Sequence, residues 1–321
     1  MTQLYNQIPV LDLSDFVGDN DSLKTKFTED LGRAFEEIGF VAIKGHGLSN
    51  DIQSGLYEAI KSFFTLEDEL KQKYELPELF GQRGYVGKRK EHAKGRKVGD
   101  LKEFYHVGQE APDDDPIHSD YPANIWPTEV PTFQEYAMRT YRILEKTGQI
   151  LMRAIALHLG LKENHFDENL SFGNSILRPI HYFPLRAEDL KENAVRAAEH
   201  GDINLITLLM GASAEGLEVL RKDGAWIPIT ALPNQIIVNV GDMLERHTND
   251  QLKSTIHRVV NPKGAKLGEP RFSIPFFMHP RMTMELNCLQ NCIDNTKPKK
   301  YEDITAGQFL QERLEEIGLK K

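Results

Sequence analysis

The chain has 321 residues, of which 40% are apolar and 27% are charged. This composition is typical of a globular protein and excludes a fully disordered, collagen-like or coiled-coil chain. The 48 acidic and 39 basic residues give a formal net charge of −9. Because a negative net charge opposes binding to phosphate backbones, nucleic acid is not an expected partner.

The chain contains 11 histidines but only two cysteines, Cys288 and Cys292. One C-x-x-x-C pair cannot build a disulfide framework or a four-cysteine zinc site, so free thiols in a reducing compartment are expected. The segment MTQLYNQIPVLDLSDF lacks the basic and apolar regions of a signal peptide. The most apolar stretch, 150–161, is too short to span a bilayer. These features predict a cytoplasmic protein with no membrane partner.

Apolar residues at three- and four-residue spacing predict helices in the first half of the chain. Over 22–38 this apolar face consists of Leu23, Phe27, Leu31, Phe35 and Ile38. A second helix is predicted to begin at Thr65, with Asp68 completing its cap, and a longer one is predicted over 131–159. Between them, residues 81–100 (GQRGYVGKRKEHAKGRKVGD) are glycine-punctuated and very basic, which predicts a loop.

After residue 173 the pattern changes to short runs rich in β-branched and aromatic residues. These runs are SILRPIHYF, INLITLLM, LEVL, AWIPI, QIIVNV, TIHRVV and RFSIPFFM. Short strands separated by turn residues predict an antiparallel sandwich or barrel. We therefore expect a mixed α+β protein forming a single unit over 1–321. It would comprise a mainly helical region at 1–172, a β core at 173–280 and an extension at 281–321 with a helix near 306–317.

Three histidines are followed by aspartate two positions later: His118, His165 and His200. The first lies in a proline-rich segment and the second follows a helix end, so both are expected at solvated positions. His200 and Asp202 directly precede the run INLITLLM. Residues two apart in an extended segment point to the same side, so this pair can chelate one metal ion.

His257, in the run TIHRVV, can complete a metal site with His200 and Asp202. Two imidazoles and one carboxylate on one face of an octahedral metal form the facial triad of non-haem Fe(II) oxygenases. This arrangement leaves three positions open, whereas a structural zinc site would be four-coordinate and closed. Taken singly, each histidine could equally be a core residue with satisfied ring nitrogens.

Arg271 and Ser273 follow in the next strand-like run, with Phe272 between them. Alternation along a strand places Arg271 and Ser273 on one face. A guanidinium and a hydroxyl that converge in this way form a receptor for a carboxylate. The alternative is a buried arginine with an internal acidic partner, since an unpaired buried charge is costly.

The chain resembles the isopenicillin N synthase-like branch of the Fe(II)/2-oxoglutarate-dependent dioxygenases. The resemblance rests on HGD, STIHRVVNP, RFS and VNVGDMLERHTND, and also on IPVLDLSDF, IGFVAIKGHGLS, GDLKEFYHVG and TAGQFLQERL. These segments span nearly the whole chain. The resemblance implies a double-stranded β-helix, or jelly-roll, core with flanking N-terminal helices and a C-terminal helix.

By this resemblance His200, Asp202 and His257 match the iron ligands. Arg271 and Ser273 match the pair that binds the distal carboxylate of 2-oxoglutarate. Tyr182 matches a tyrosine that adds a hydrogen bond to that carboxylate, and Arg178 matches an arginine near the co-substrate or substrate. The implied cofactors are Fe(II), 2-oxoglutarate and O2. The implied reaction couples oxidative decarboxylation of 2-oxoglutarate to oxidation of a small molecule, with hydroxylation favoured.

Candidate substrate contacts are less specific. The segments that resemble the family's substrate-facing region contain Tyr85, Phe104 and His106, and further candidates are Arg246 and His247. The basic segment 82–97 contains Arg83, Lys88, Arg89, Lys90, Lys94, Arg96 and Lys97. It is expected to be either a lid that attracts an anionic substrate or a merely solvated loop.

Two other functions remain open at this point. An isopenicillin N synthase-like oxidase would use the same triad without 2-oxoglutarate, because the Arg-x-Ser pair could bind the substrate's own carboxylate. A non-catalytic jelly-roll metal-binding protein is the other alternative, although a pure binder has no need of vacant metal positions. The apolar residues Leu205, Phe276 and Phe277 are expected to be core residues.

Overall fold

The computed structural model describes residues 5–91, 99–186, 189, 195–211, 216–230, 232, 234–262 and 264–316. Within these residues the α-helices are α1 (Ser14–Val17), α2 (Asp21–Glu37), α3 (Asn50–Phe64), α4 (Asp68–Gln72), α5 (Thr132–His158), α6 (Asp167–Leu170), α7 (Asp242–His247) and α8 (Ala306–Glu316). None of the described helices combines the length and the apolar composition needed to cross a bilayer.

The helices predicted over 22–38, 131–159 and 306–317 are confirmed as α2, α5 and α8, although residue 317 lies outside the described residues. The start of α2 is fixed by Asn20, whose side-chain oxygen accepts hydrogen bonds from the backbone N–H groups of Ser22 and Leu23. These contacts satisfy two of the N–H groups that a helix leaves unpaired at its first turn.

The predicted helix start at Thr65 is wrong. Thr65 instead ends α3, because its backbone N–H and its hydroxyl both donate to the carbonyl oxygen of Lys61. The next helix, α4, begins at Asp68 after Glu67, which makes no side-chain cap. The two residues of the Thr-x-x-Asp pattern therefore belong to different helices: Thr65 ends α3 and Asp68 begins α4.

The strands are β1 (Val10–Asp12), β2 (Phe40–Lys44), β3 (Gly84–Val86), β4 (Glu103–Gly108), β5 (Ile176–Leu177), β6 (Ile180–Tyr182), β7 (Ala197–His200), β8 (Ile206–Met210), β9 (Leu217–Leu220), β10 (Trp226–Pro228), β11 (Ile236–Val240), β12 (His257–Val259) and β13 (Arg271–Met278). They form a large sheet in the order β1-β2-β11-β8-β13-β5-β4-β3, with β6 paired to β13 and β4. A smaller sheet has the order β10-β9-β12-β7.

All strand pairs are antiparallel except β1 with β2, as expected for a jelly roll. One apolar cluster draws on both sheets, with Ile237 of the large sheet and Val219 and Val259 of the small one. A second cluster joins the large sheet to α2, α3 and α5. The jelly roll therefore has a helical layer on the outer face of its large sheet.

In the part of the chain that the structure describes, the region 1–172 contributes four strands to the large sheet, so it is less helical than the sequence predicts. The expected loop 81–100 includes β3, in which Tyr85 lies opposite Tyr105 of β4. Both rings are buried. These strands form because distant segments pair with each other. The periodicity within one short segment does not show such pairing. The boundaries at 172 and 280 stay a prediction.

Candidate functional site

His200 and His257 are direct partners across an antiparallel strand pair. His200 ends β7, His257 begins β12, and their ring centroids lie 4.4 Å apart. The Nδ1 atom of His200 lies 2.6 Å from the carbonyl oxygen of Ala198, and that of His257 lies 3.2 Å from the carbonyl oxygen of Thr255. When each Nδ1–H donates to its carbonyl, each Nε2 keeps a lone pair for a metal ion.

Asp202 lies in the loop between β7 and β8, not in a strand as the sequence predicts. The start of α7 holds this loop, because the backbone N–H of Asp242 donates to the Asp202 carbonyl oxygen at 2.7 Å. The side-chain Oδ1 of Asp202 lies 3.7 Å from Nε2 of His257. The carboxylate therefore reaches the two histidines through a hydrogen-bonded loop.

Two buried polar residues, Asn239 and Thr207, orient the Asp202 carboxylate. Its Oδ2 atom accepts hydrogen bonds from Asn239 Nδ2 at 2.8 Å and from Thr207 Oγ1 at 2.6 Å. Neither residue is among those predicted from the sequence. The available signal was a polar residue within an otherwise apolar strand, as in QIIVNV and ITLLM.

The electrostatics of this group suit metal binding. Burial, together with the charge of His257, lowers the pKa of His200 to about 4, so its imidazole is neutral at physiological pH. Burial alone would raise the pKa of Asp202, but His257, His200 and the two hydrogen bonds hold that pKa below its usual value. Metal ligation requires neutral imidazoles and an ionised carboxylate.

The ligand atoms of His200, Asp202 and His257 all lie within 4.8 Å of one another. Among the described residues, this is the group of histidine, cysteine and acidic side chains that could hold a metal ion. The other two H-x-D histidines, His118 and His165, lie outside it. Two imidazoles and one carboxylate fit the facial triad of Fe(II), since no fourth ligand from the described residues closes the site.

A cavity of about 480 Å³ opens onto these three side chains, and Arg271, Ser273 and Tyr182 also line it. Arg271 lies opposite Tyr182 in the pairing of β13 with β6, and its guanidinium carbon is 4.9 Å from the tyrosine ring centroid. Arg271 is 1% exposed and Ser273 is 4% exposed. The structure thus brings the predicted carboxylate receptor and the His-Asp-His group to one cavity.

Arg178 lies between β5 and β6 in the same cavity wall. Its Nε donates to Nε2 of His106, and its Nη1 lies 3.3 Å from a carboxylate oxygen of Glu91. The guanidinium packs between two rings, with its carbon 4.5 Å from the centroid of Phe104 and 4.9 Å from that of Phe277. Phe277 and His106 line the cavity, whereas Phe104 lies behind Arg178.

Four predicted substrate contacts do not line the cavity: Tyr85, Phe104, Arg246 and His247. The Tyr85 hydroxyl donates to Glu103, and its ring belongs to the main apolar core. Arg246 and His247 lie in α7. Arg246 donates to the carbonyl oxygen of Glu302, and the His247 ring packs on Phe166 in the protein interior.

Apart from Arg83, the described cations of the basic segment are paired with carboxylates. Arg83 is buried and donates to the carbonyl oxygens of Pro122 and Gln82. The other cations form ion pairs, in which Lys88 contacts Asp68 at 3.2 Å, Arg89 contacts Asp189 at 2.5 Å and Lys90 contacts Glu75 at 2.6 Å. Lys94, Arg96 and Lys97 lie outside the described residues.

Two further elements of the cavity wall are absent from the sequence prediction. His279, just after β13, is 8% exposed and lines the cavity. Leu310, Arg313 and Leu314 of α8 also line it. Phe277, expected to be a core residue, belongs to this wall as well, whereas Phe276 is fully buried in the core.

Comparisons with known proteins agree with this geometry. The family model for the 2OG-Fe(II) oxygenase superfamily matches residues 174–280, and that for the non-haem dioxygenase in morphine synthesis N-terminal matches residues 8–129. The proline hydroxylase buaE of Petromyces alliaceus is 34% identical, over 96% of this chain and 98% of the relative.

Two solved structures extend the likeness to three dimensions. A 2OG-Fe(II) oxygenase family protein from Caulobacter crescentus is 40% identical with a TM-score of 0.86, over 97% of this chain and 99% of that chain. A full-length Neurospora crassa protein, solved in complex with alpha-KG and thymine, is 30% identical with a TM-score of 0.84, over 96% of each chain.

These matches do not favour an oxidase that works without 2-oxoglutarate or a non-catalytic jelly-roll protein. The jelly-roll core and the His-Asp-His group of this chain are the features expected of a relative of a protein that binds alpha-KG. The chain therefore belongs to the 2OG-Fe(II) oxygenase superfamily, as a dioxygenase that uses Fe(II), 2-oxoglutarate and O2 to oxidise a small molecule.

Proposed function

We propose that His200, Asp202 and His257 bind the Fe(II) ion, and that Arg271 and Ser273 bind the distal carboxylate of 2-oxoglutarate. The observation that carries this assignment is the single cavity whose wall contains all five side chains. A buried guanidinium beside a hydroxyl suits a carboxylate, and the triad supplies the neutral nitrogens and the carboxylate oxygen that Fe(II) accepts.

Fe(II), when bound, supplies the activation of O2 that drives decarboxylation of 2-oxoglutarate and oxidation of the substrate. The protein binds the metal ion, the co-substrate and the substrate, holds them in a fixed orientation and encloses them. Asn239 and Thr207 fix the direction of the Asp202 carboxylate, so the metal-facing oxygen is held in place. We assign Tyr182 a hydrogen bond to the 2-oxoglutarate carboxylate that Arg271 holds. Burial of these groups excludes water and strengthens their interactions.

The rest of the cavity receives the substrate, with Arg178 and Phe277 in its wall. We assign Arg178 to the substrate, because its guanidinium is held by neighbours in that wall. One relative is named for proline hydroxylation and another was solved with thymine, so a substrate about as small as these molecules is favoured. Hydroxylation is the favoured outcome. A cytoplasmic location is consistent with the buried free thiols Cys288 and Cys292.

The test is succinate formation by the full chain with Fe(II), ascorbate and 2-oxoglutarate across a panel of small metabolites. We expect succinate to require both Fe(II) and 2-oxoglutarate, to rise with a substrate, and to vanish in Asp202→Ala. The matched control is His118→Ala, which changes an H-x-D histidine outside the triad and retains activity. Substrate oxidation that proceeds without 2-oxoglutarate would overturn the assignment of Arg271 and Ser273.

A further inference from the structure

Four ionic side chains form a connected cluster in the cavity wall: Glu91, Asp100, Lys102 and Arg178. Lys102 Nζ lies 2.7 Å from a carboxylate oxygen of Glu91 and 2.9 Å from one of Asp100. Glu91 also contacts Arg178 at 3.3 Å, so one carboxylate bridges both cations. The side chains of Glu91, Asp100 and Lys102 are no more than 10% exposed.

The positive and negative charges within this cluster are equal in number. Burial acts to raise the pKa of Glu91, but Arg178 and Lys102 outweigh it and hold that pKa well below its usual value. Burial acts to lower the pKa of Lys102, but Glu91 and Asp100 raise it above its usual value. With the arginine always charged, two cations face two anions in the wall.

Of the other ionic groups that line the cavity, the cations Arg313 and Arg271 are paired or assigned, and Glu199 and Asp242 add carboxyl groups to the wall. Arg313 contacts Glu316 at 2.8 Å near the end of α8. Arg271 is assigned to 2-oxoglutarate and Asp202 to the metal ion. An additional anionic group that entered this buried wall would meet no uncompensated cation among the described residues, and a buried charge without a partner is costly.

The same wall offers hydrogen bonds to uncharged groups. The Arg178 guanidinium is held by His106, Glu91 and two aromatic rings, and its side chain is 18% exposed. His279 has an Nδ1 atom that is buried without a hydrogen-bond partner among the described residues. Burial lowers the pKa of His279 to about 4, so its ring presents a neutral imidazole.

We propose that the substrate is a small molecule without net charge that places a carbonyl oxygen against Arg178, and that Glu91 is the specificity residue that excludes anions. Glu91 acts by neutralising Arg178 and Lys102 and does not touch the reacting atoms. This inference rests on the proposed function, because it assigns the Arg178 side of the cavity to the substrate.

The test compares uncharged molecules with carboxylates of the same shape. The probes are benzamide with benzoate and nicotinamide with nicotinate, titrated into the full chain loaded with Fe(II) and 2-oxoglutarate without O2. Calorimetry gives the dissociation constants, and inhibition of substrate-free succinate formation gives an independent measure in air. The variants are Glu91→Gln and, as matched control, Glu75→Gln, which removes a carboxylate paired with Lys90 outside the cavity wall.

For the wild type we expect each amide to bind at least about tenfold more tightly than its carboxylate. In Glu91→Gln that ratio falls by about tenfold or more, because one removed negative charge leaves the wall cationic. In Glu75→Gln the ratio is unchanged. Tighter binding of the carboxylates to the wild type would overturn the proposal, as would an unchanged ratio in a folded Glu91→Gln variant. Failure to form succinate would instead contradict the proposed function, and calorimetry would still report the charge preference.

Discussion

His257 lies directly opposite His200 in the small sheet, with 4.4 Å between the two ring centroids. The strand pairing is irregular between His257 and Val259, so the regular ladder is interrupted next to this pair. β-bulges re-aim side chains and are common beside active sites. The pairing of the two strands therefore sets the relative position of the two imidazoles.

Replacing His257 by alanine removes one proposed ligand, while Asn239 and Thr207 still donate hydrogen bonds to the Asp202 carboxylate. We expect the affinity for Fe(II) to fall at least about 100-fold, beyond the 10- to 100-fold typical of groups that only support a ligand. The measurement is iron content after dialysis against a weak chelator, with circular dichroism to confirm folding. His165→Ala is the control, and full iron retention by His257→Ala would contradict the assignment.

Asn239→Leu tests the support of the Asp202 carboxylate. The variant removes the hydrogen bond at 2.8 Å to Oδ2 while the three proposed ligands stay in place. We expect Fe(II) affinity to fall about 10- to 100-fold. Titration of the metal-free protein with Fe(II) under argon measures this change. Asn287→Leu changes an amide that contacts Glu285 outside the cavity wall, and it should bind Fe(II) as the wild type does.

Arg271→Met tests the carboxylate receptor independently of the metal. Hydrogen bonds to charged groups contribute about 1.5–3 kcal/mol, so the KM for 2-oxoglutarate should rise about 10- to 100-fold. Iron content should remain that of the wild type. The control is Arg258→Met, because Arg258 pairs with Glu218 and Glu199 instead. A normal KM in the Arg271 variant would assign the carboxylate to another group.

The pH dependence of stability should report on His247. Burial lowers its pKa to about 4, whereas an unfolded histidine titrates near about 6.5. Between these values the unfolded chain binds a proton that the folded chain does not, so the free energy of unfolding falls as pH falls from about 6.5 to about 4. Above about 6.5 this contribution to stability is complete.

We expect His247 to account for about 2 kcal/mol of the stability lost between pH 7 and pH 5. Denaturant unfolding of the wild type and of His247→Leu at both pH values measures it. The loss should be about 2 kcal/mol smaller in the variant. An identical loss in both proteins would mean that the imidazole is not held neutral by burial.

Arg246→Ala tests how the C-terminal helix is held at the cavity. The Arg246 guanidinium donates to the Glu302 carbonyl oxygen and lies 5.0 Å from the Tyr301 ring centroid. Its loss should expose the amides of α8, and hydrogen exchange there should become about tenfold faster. Mass spectrometry measures this exchange, with Arg221→Ala, which breaks an ion pair with Asp223, as control. Unchanged exchange in α8 would mean that Arg246 does not anchor it.

The His-Asp-His group could be predicted from sequence because its residues are rare types in informative surroundings. His200, Asp202 and His257 stand beside short strand-like runs, and Arg271 and Ser273 share one face of a strand by simple alternation. The helices α2 and α5 were likewise predictable, since their apolar spacing is local. For the basic segment the sequence left a lid and a solvated loop open, because sequence does not show which cations meet a carboxylate in the fold.

The sequence by itself determined the fold class, the residue types of the proposed metal site and the helices α2, α5 and α8, because periodicity and chemical identity are local properties. Only the tertiary structure decided which polar side chains share the cavity. Asn239 and Thr207 meet Asp202 through the pairing of β8 with β11, and Glu91 meets Lys102 and Arg178 across distant segments. The physical reason is that burial and long-range pairing set the charge and hydrogen bonding of a site, and neither is encoded within a single segment.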